Sequence, residues 1–279
     1  MTSIMMYRVL VDWLTVTSYR DALADVGTMI MESVGNEWTE SKVMQYDGKR
    51  MDLEAGHIFV GTGIQKQARH HMIRISGQSS HDALPWVARS FFPFQDRLTR
   101  IDAQITIHEP KDWSQWNLLT RLRATGNHVG WVASRDKETG YELATVYIGN
   151  RKSSPRFTRI YQKLTDEKEK LLRLEVEIKR NRAREHGKLL HEYADGNLRH
   201  LRDELAFISQ KDSRLELAFA EALQGYKKPI RVGAQETNTG AWIMNQCLPA
   251  MDKHLGSHSS NQTAAIISTM KEIIRRNEI

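Results

Sequence analysis

The stretch RIDAQITIH, residues 100–108, has the clearest strand pattern in the sequence. Its apolar residues occupy the odd positions from 101 to 107. Because successive side chains of a strand point to opposite faces of a sheet, this alternation predicts one apolar and one polar face. The polar face carries Asp102, Gln104, Thr106 and His108.

Strand and helix patterns flank this stretch on both sides. Runs of β-branched, aromatic and other apolar residues predict strands at 7–16, 57–61, 71–76, 128–133, 143–149, 157–163 and 172–179. Helical spacing predicts helices at 20–34, 82–92 and 113–123. The order of a strand, a helix and several strands therefore occurs twice, and an acidic residue, Asp12 or Asp102, lies in each opening strand. We predict an α+β fold with a mostly antiparallel sheet, and the repeated order suggests a β-α-β-β duplication.

The pattern changes to helical spacing after residue 181. Helices are predicted at 186–209, 213–226, 239–255 and 261–276, with a linker at 225–240. We therefore divide the chain into a catalytic α+β domain, 1–182, and a helical C-terminal region, 183–279, which suits a dimer or partner contact. The single cysteine, Cys247, is expected to be a small buried residue in one of these helices.

Composition and charge exclude several classes of protein. No apolar run approaches the roughly 18 residues that a membrane-spanning helix needs, and the N-terminus lacks the pattern of a signal peptide. With one cysteine there is no intramolecular disulfide, so a cytoplasmic setting is expected.

The positive charge is concentrated in one segment. The net charge is +6, yet residues 151–188 hold 13 Lys and Arg against 6 Asp and Glu. This basic segment indicates a polyanionic partner, and a solvated basic face is the alternative.

A tyrosine flanked by two cations lies in the basic segment. On a strand, Arg159, Tyr161 and Lys163 share one face. Positive neighbours are expected to lower the phenol pKa, and a phenolate is a competent nucleophile toward phosphorus. The alternative is a strand tyrosine with solvated neighbours.

Carboxylates lie on two of the predicted strands. Asp102 shares a face with His108, while Glu175 and Glu177 share a face of the strand at 172–179. Such ligands suit Mg²⁺ or Mn²⁺. The alternative is that the glutamates simply pair with Arg173 and Lys179 across strands. The sequence contains no His-x-His, no Walker A loop and no Gly-x-Ser-x-Gly elbow, so ATP hydrolysis and elbow-type hydrolase chemistry are not expected.

Four motifs, in this order, resemble those of the Rep_trans-type rolling-circle initiators. They are RISGQ (74–78), RIDAQI (100–105), TVYIGNRKSSPRFTRIYQK (145–163) and RLEVEIKR (173–180). The family includes plasmid and filamentous-phage replication initiators and relaxases of some conjugative elements. The resemblance spans roughly residues 7–185 and implies a degenerate HUH-like nuclease, in keeping with the missing His-x-His.

The resemblance implies a nicking and rejoining enzyme. Family members join a tyrosine to the 5′-phosphate of a nicked strand and leave a free 3′-hydroxyl, and Tyr161 matches that tyrosine. Lys163 falls where the family has a lysine, and Arg159 would hold phosphate. The metal site would use Asp102, Glu175 and Glu177. Thr106 stands where a second acid is common, so His108 either completes the ligand set or is not needed. Asp166, Glu167 and Glu169 remain candidate proton acceptors.

The same resemblance implies DNA contacts and partners. The DNA-binding candidates are Arg151, Lys152, Arg156, Lys179, Arg180, Arg182 and Arg184. The partners would be origin DNA, single-stranded or as an extruded hairpin, and a host helicase and polymerase in a bacterial cytoplasm, with a homodimer as an option. Two alternatives stay open: a relaxase that nicks a transfer origin, and a DNA-binding regulator without nicking activity.

Overall fold

All the strands in the described part of the chain belong to one ten-stranded antiparallel sheet. The computed structural model describes residues 8–34, 37–53, 56–65, 67–91 and 96–225. Contacts divide the chain into two compact units, Met1–Ile230 and Arg231–Ile279, and all described residues belong to the first. The predicted helices at 239–255 and 261–276, with Cys247, lie outside the described residues. The domain boundary predicted between residues 182 and 183 falls inside a helix of the first unit.

The elements follow the predicted order and add two strands that the sequence did not indicate. Residues 186–209, predicted as one helix, are divided among three helices that end at Gly187, Ala194 and Ser209. The strands are β1 (Leu10–Ser18), β2 (Thr39–Val43), β3 (Tyr46–Leu53), β4 (Gly56–Gln65), β5 (Ala68–Gly77), β6 (Asp96–His108), β7 (Val129–Arg135), β8 (Glu142–Ile148), β9 (Arg156–Leu164) and β10 (Lys170–Lys179). The helices are α1 (Ala22–Val34), α2 (Gln78–Ser90), α3 (Gln115–Ala124), α4 (Arg180–Gly187), α5 (Leu190–Ala194), α6 (Arg199–Ser209) and α7 (Ser213–Phe219). The predicted α+β class is confirmed.

The topology repeats. The strand order is β2-β3-β4-β5-β1-β6-β10-β9-β8-β7. In the first half, β1 to α2, a meander of four strands returns so that β5 pairs with β1. In the second half, β6 to α4, β10 returns in the same way to pair with β6. Since β1 and β6 pair with each other, the two halves are related by an approximate two-fold axis at the centre of the sheet. The suggested β-α-β-β unit is thus present twice, each time with two further strands.

One face of the sheet is apolar and covered by helices. Its central strands contribute the odd-numbered residues 101–107 of β6 and the even-numbered residues 172–178 of β10, all buried. Every one of the described helices contributes side chains to the same hydrophobic cluster. This helix side therefore supplies most of the burial that stabilises the fold. No helix in the described ranges is long and apolar enough to cross a bilayer.

The opposite face, which we call the open face, carries the polar side chains of the same strands. Trp13, Arg74, Asp102, Glu175 and Tyr161 all lie on it, as the strand register shows. Because the described helices all pack on the helix side, the open face is the surface on which these residues can meet a ligand.

Candidate active site

Three neighbouring strands bring the candidate residues together on the open face of the second half. The register places Asp102 of β6 beside Glu177 of β10. One step along the face, Glu175 lies beside Arg159 of β9, and one step further Arg173 lies beside Tyr161. Directly opposed residues in an antiparallel pair have close side chains on the same face, so these residues form one continuous group.

The three carboxylates at this site are buried and compensated by cations. Asp102, Glu175 and Glu177 are 0%, 3% and 2% exposed. Arg159 donates to Glu175 and lies 3.3 Å from Asp102 Oδ2. Arg100 donates to Asp102 through Nε at 2.8 Å and lies 3.2 Å from Glu177 Oε2. The arginines thus separate carboxylates that would otherwise repel each other.

Burial changes the acidity of two of these carboxylates. Burial raises the pKa of Asp102 to about 6, against the opposing effect of Arg100. Burial also raises the pKa of Glu175 to about 7, although Arg159 favours the ionised form. A carboxylate whose pKa lies near neutrality can take up a proton during a reaction.

The Tyr161 hydroxyl lies between a carboxylate and a guanidinium. It donates to Glu175 Oε2 at 3.4 Å and accepts from Arg173 Nη1 at 3.2 Å. Burial raises its pKa to about 12, while Arg173 acts in the opposite direction. This direction is opposite to the expected lowering of the pKa, because burial and the charge of Glu175 outweigh the effect of Arg173. Deprotonation of Tyr161 therefore needs a base, and Glu175 is in contact with it.

Lys163 lies one step beyond Tyr161 on the same face of β9. It opposes Leu171 in the register, and its side chain reaches solvent. Burial and the charge of Arg173 lower the pKa of its ammonium group. The candidate acceptors Asp166, Glu167 and Glu169 lie exposed after β9, and the contact of the phenol is with Glu175.

The resemblance implies a divalent ion at the carboxylates, and an ion needs several oxygen or nitrogen ligands directed at one point. Within the described ranges, no three His, Cys, Asp or Glu side chains are placed to hold a metal. Arg159 and Arg100 occupy the space between the carboxylates. His108 is exposed and six residues from Asp102 on β6, about 20 Å along the strand. In this arrangement the carboxylates and His108 do not form a site for a divalent ion, and the mechanism below contains no step that uses one.

The predicted DNA-binding cations separate into two groups. Arg151 and Lys152 are exposed in the turn between β8 and β9, and Lys179 and Arg180 donate to their carbonyl oxygens. Arg184 is exposed on α4.

The other two cations, Arg156 and Arg182, belong to the helix side. Their Nε atoms lie 2.5 and 2.8 Å from the carboxylate of Glu204 on α6, which is fully buried. Although burial opposes it, hydrogen bonds from His186 and Arg182 lower the pKa of Glu204 to about 2. The structure therefore places these two arginines in an ion-pair cluster that attaches the helices to the sheet.

Two contacts of the site were missed at the level of sequence. Arg173, considered as a partner of the glutamates, contacts the nucleophile candidate, and Arg100 bridges two carboxylates. The alternation in RLEVEIK places Arg173 on the face of the glutamates, which was the available signal. Only the register of β9 against β10 shows that it opposes Tyr161.

Comparisons with known proteins do not assign a family. No family model and no curated protein matches this chain. Among solved structures, the chain is similar to DynU16, described as a protein in the dynemicin biosynthetic locus. The identity is 12%, the match covers 66% of this chain and 94% of that one, and the TM-score is 0.20. A similarity at that level carries no argument about fold or function.

Proposed function

We propose that this chain is a DNA-nicking strand transferase that initiates rolling-circle replication, with Tyr161 as its nucleophile. The observation that carries the proposal is the position of the Tyr161 hydroxyl. It lies on the open face between Arg173 and Glu175, a cation that can hold a phosphate and a base that can accept the phenol proton. The motif resemblance supports the same residue from the sequence.

The first half of the reaction is a nucleophilic attack. Tyr161 Oη attacks the phosphorus of a phosphodiester as its proton passes to Glu175 Oε2. The Oη–P bond forms and the bond from phosphorus to the 3′-oxygen breaks. Arg173 offsets charge on the phosphate oxygens. The 5′-phosphate stays on the tyrosine.

The second half concerns the leaving group. The 3′-oxygen leaves with the bonding electron pair and takes a proton from Lys163, whose lowered pKa makes it a better acid than an ordinary lysine. The product is a free 3′-hydroxyl. The reverse sequence rejoins the strand, with Lys163 taking the proton back and Glu175 returning one to the phenol.

DNA would reach this site over the cations at one end of the sheet. Arg151 and Lys152 are exposed there, and Arg180 lies beside them. Phosphate contacts of this kind hold a strand in position without reading its sequence. The origin sequence, the helicase and polymerase partners and a homodimer remain predictions.

The experiment is an adduct assay. Wild type and Tyr161→Phe are incubated with end-labelled single-stranded DNA, with Mn²⁺, with Mg²⁺ or with EDTA, and separated on a denaturing gel. Wild type should form a covalent protein–DNA band that Tyr161→Phe lacks. The matched control is Tyr147→Phe, a partly buried tyrosine of the same face, stacked on Phe157. An adduct formed by Tyr161→Phe would exclude this nucleophile, and the EDTA arm tests the predicted divalent ion.

A second candidate is a DNA-binding regulator without nicking activity. The raised pKa of about 12 favours it, because the phenol is harder to deprotonate than that of an ordinary tyrosine. This reading predicts origin binding without any adduct. A relaxase would use the same chemistry, and the two enzymes differ in whether a replication or a transfer origin is nicked.

A further inference from the structure

A row of cations crosses the open face at right angles to the strands. Through the register, Lys179 of β10 lies beside Arg100 of β6, and Arg100 lies beside Thr15 of β1. Thr15 lies beside Arg74 of β5, which is followed by Phe59 of β4 and Arg50 of β3. We call Lys179, Arg100, Arg74 and Arg50 the cation row. It joins the two halves of the sheet.

Three members of the cation row have acidic partners. Lys179 Nζ lies 2.7 Å from Glu177 Oε1. Arg100 pairs with Asp102 and Glu177, and Arg50 donates to Asp52 at 2.8 Å.

Arg74 is different, because no acidic side chain in the described part of the chain pairs with it. Its buried Nε atom has no acceptor there. Burial, followed by the charges of Arg100 and Arg50, lowers its pKa. A half-buried guanidinium without a counter-ion destabilises the fold, and an anion bound there would offset that cost.

The surroundings of Arg74 favour a nucleic-acid phosphate. The Arg74 guanidinium lies 5.5 Å from the centroid of the Trp13 ring, and that of Arg100 lies 4.1 Å from it. Proteins that bind single strands combine cations along the backbone with aromatic rings next to the bases. Arg100 and Arg50 are each two β-strands away from Arg74, about 10 Å. A DNA strand that crosses the sheet would therefore pass the three arginines in turn.

We infer that Arg74 binds a backbone phosphate of single-stranded DNA that crosses the first half of the open face along the cation row. The inference rests on the proposed function for its ligand. Lys179 lies six residues from Arg173 on β10, about 20 Å. The contact is therefore with nucleotides away from the cleaved bond, and it contributes to affinity instead of chemistry.

The test uses the full chain and a fluorescently labelled oligothymidylate, with affinity measured by anisotropy across a salt series. Arg74→Gln should bind roughly tenfold more weakly. The slope of log K against log salt should fall in magnitude by about 0.7, the value for one phosphate contact on a single strand. Arg74→Lys should keep that slope. The control is Arg123→Gln. Arg123 is an exposed residue of α3, so this variant should match wild type in affinity and in salt slope.

A thermal melt without DNA separates binding from structure. Removal of an uncompensated charge should leave the Tm of Arg74→Gln unchanged or raised. Unchanged affinity, or a Tm that falls together with the affinity, overturns the inference. Preference for duplex DNA or for oligouridylate overturns it as well. If wild type forms an adduct at Tyr161 but its DNA affinity does not depend on Arg74, only this inference is refuted. If the affinity depends on Arg74 but no adduct forms, only the nicking proposal is refuted.

Discussion

The two halves of the open face share a topology but differ in how their charges are arranged. In the second half, Asp102 and Glu175 are buried and both contact Arg159. In the first half, the corresponding surface holds Arg74 without an acidic partner among the described residues, and a surface pair of Arg50 with Asp52. The comparison shows that one repeated topology can hold buried, compensated charges in one half and a half-buried guanidinium without an acidic partner among the described residues in the other.

The largest expected effect is on stability, when the central cation of the second half is removed. Arg159→Gln leaves Asp102 and Glu175 buried without the guanidinium between them. Loss of one partner of a buried ion pair costs on the order of 3 kcal/mol, so the free energy of unfolding should fall by about that amount at pH 8. Chemical denaturation measures it.

The control for that prediction comes from the first half. Arg50 and Asp52 are 39% and 69% exposed in their side chains, and exposed ion pairs contribute little. Arg50→Gln should therefore change the free energy of unfolding by less than about 1 kcal/mol. Equal losses in the two variants would show that the halves do not differ in charge burial.

The next effect is a pH dependence of stability that comes from Glu175 of the second half. The pKa of Glu175 is raised to about 7 in the fold, so the folded state binds more protons than the unfolded state between about pH 4.5 and 7. Wild type should thus lose stability relative to Glu175→Gln as the pH rises through that window. The difference should grow by roughly 1.4 kcal/mol per pH unit.

The comparison with Glu175→Gln is needed because histidines titrate in the same range. The pKa values of His57, His70 and His186 are lowered, chiefly by burial, so their contribution to stability falls as the pH falls. These effects cancel in the difference between the two proteins. A difference that is constant from pH 5 to 8 would contradict a raised pKa for Glu175.

The fold was predictable where one face of a strand is buried. β6 and β10 alternate apolar and polar residues along their length, and both were predicted close to their true bounds. β2, the edge strand, and β3, its neighbour, were missed, because TESKV and YDGKRMDL bury too few side chains to show a period of two.

The site was predictable residue by residue but not in its pairings. Alternation placed Arg159, Tyr161 and Lys163 on one face, and the register agrees. The sequence could not show that Arg159 lies opposite Glu175 and that Arg173 lies opposite Tyr161. Cross-strand register follows from the whole sheet. The burial of Tyr161, which the sequence did not indicate either, reversed the expected direction of its pKa.

A smaller effect is expected on the rate of adduct formation. Arg173→Gln removes the cation that lowers the pKa of Tyr161 and offsets phosphate charge. The rate at saturating DNA should fall roughly tenfold, and Arg173→Lys should recover part of it. Arg69→Gln, an exposed arginine of β5 in the first half, should react like wild type. Equal rates for the two glutamine variants would remove Arg173 from the mechanism.

The smallest effect concerns an exposed cation of the second half. Lys152 is exposed in the turn between β8 and β9, so Lys152→Gln should leave stability within about 0.5 kcal/mol of wild type. Affinity for single-stranded DNA should fall a few-fold, with the salt slope smaller by about 0.7. Lys49→Gln is the matched control, because Lys49 opposes Val60, which packs on the helix-side core. If both variants weaken binding equally, charge anywhere on the protein matters and the open face is not the DNA surface.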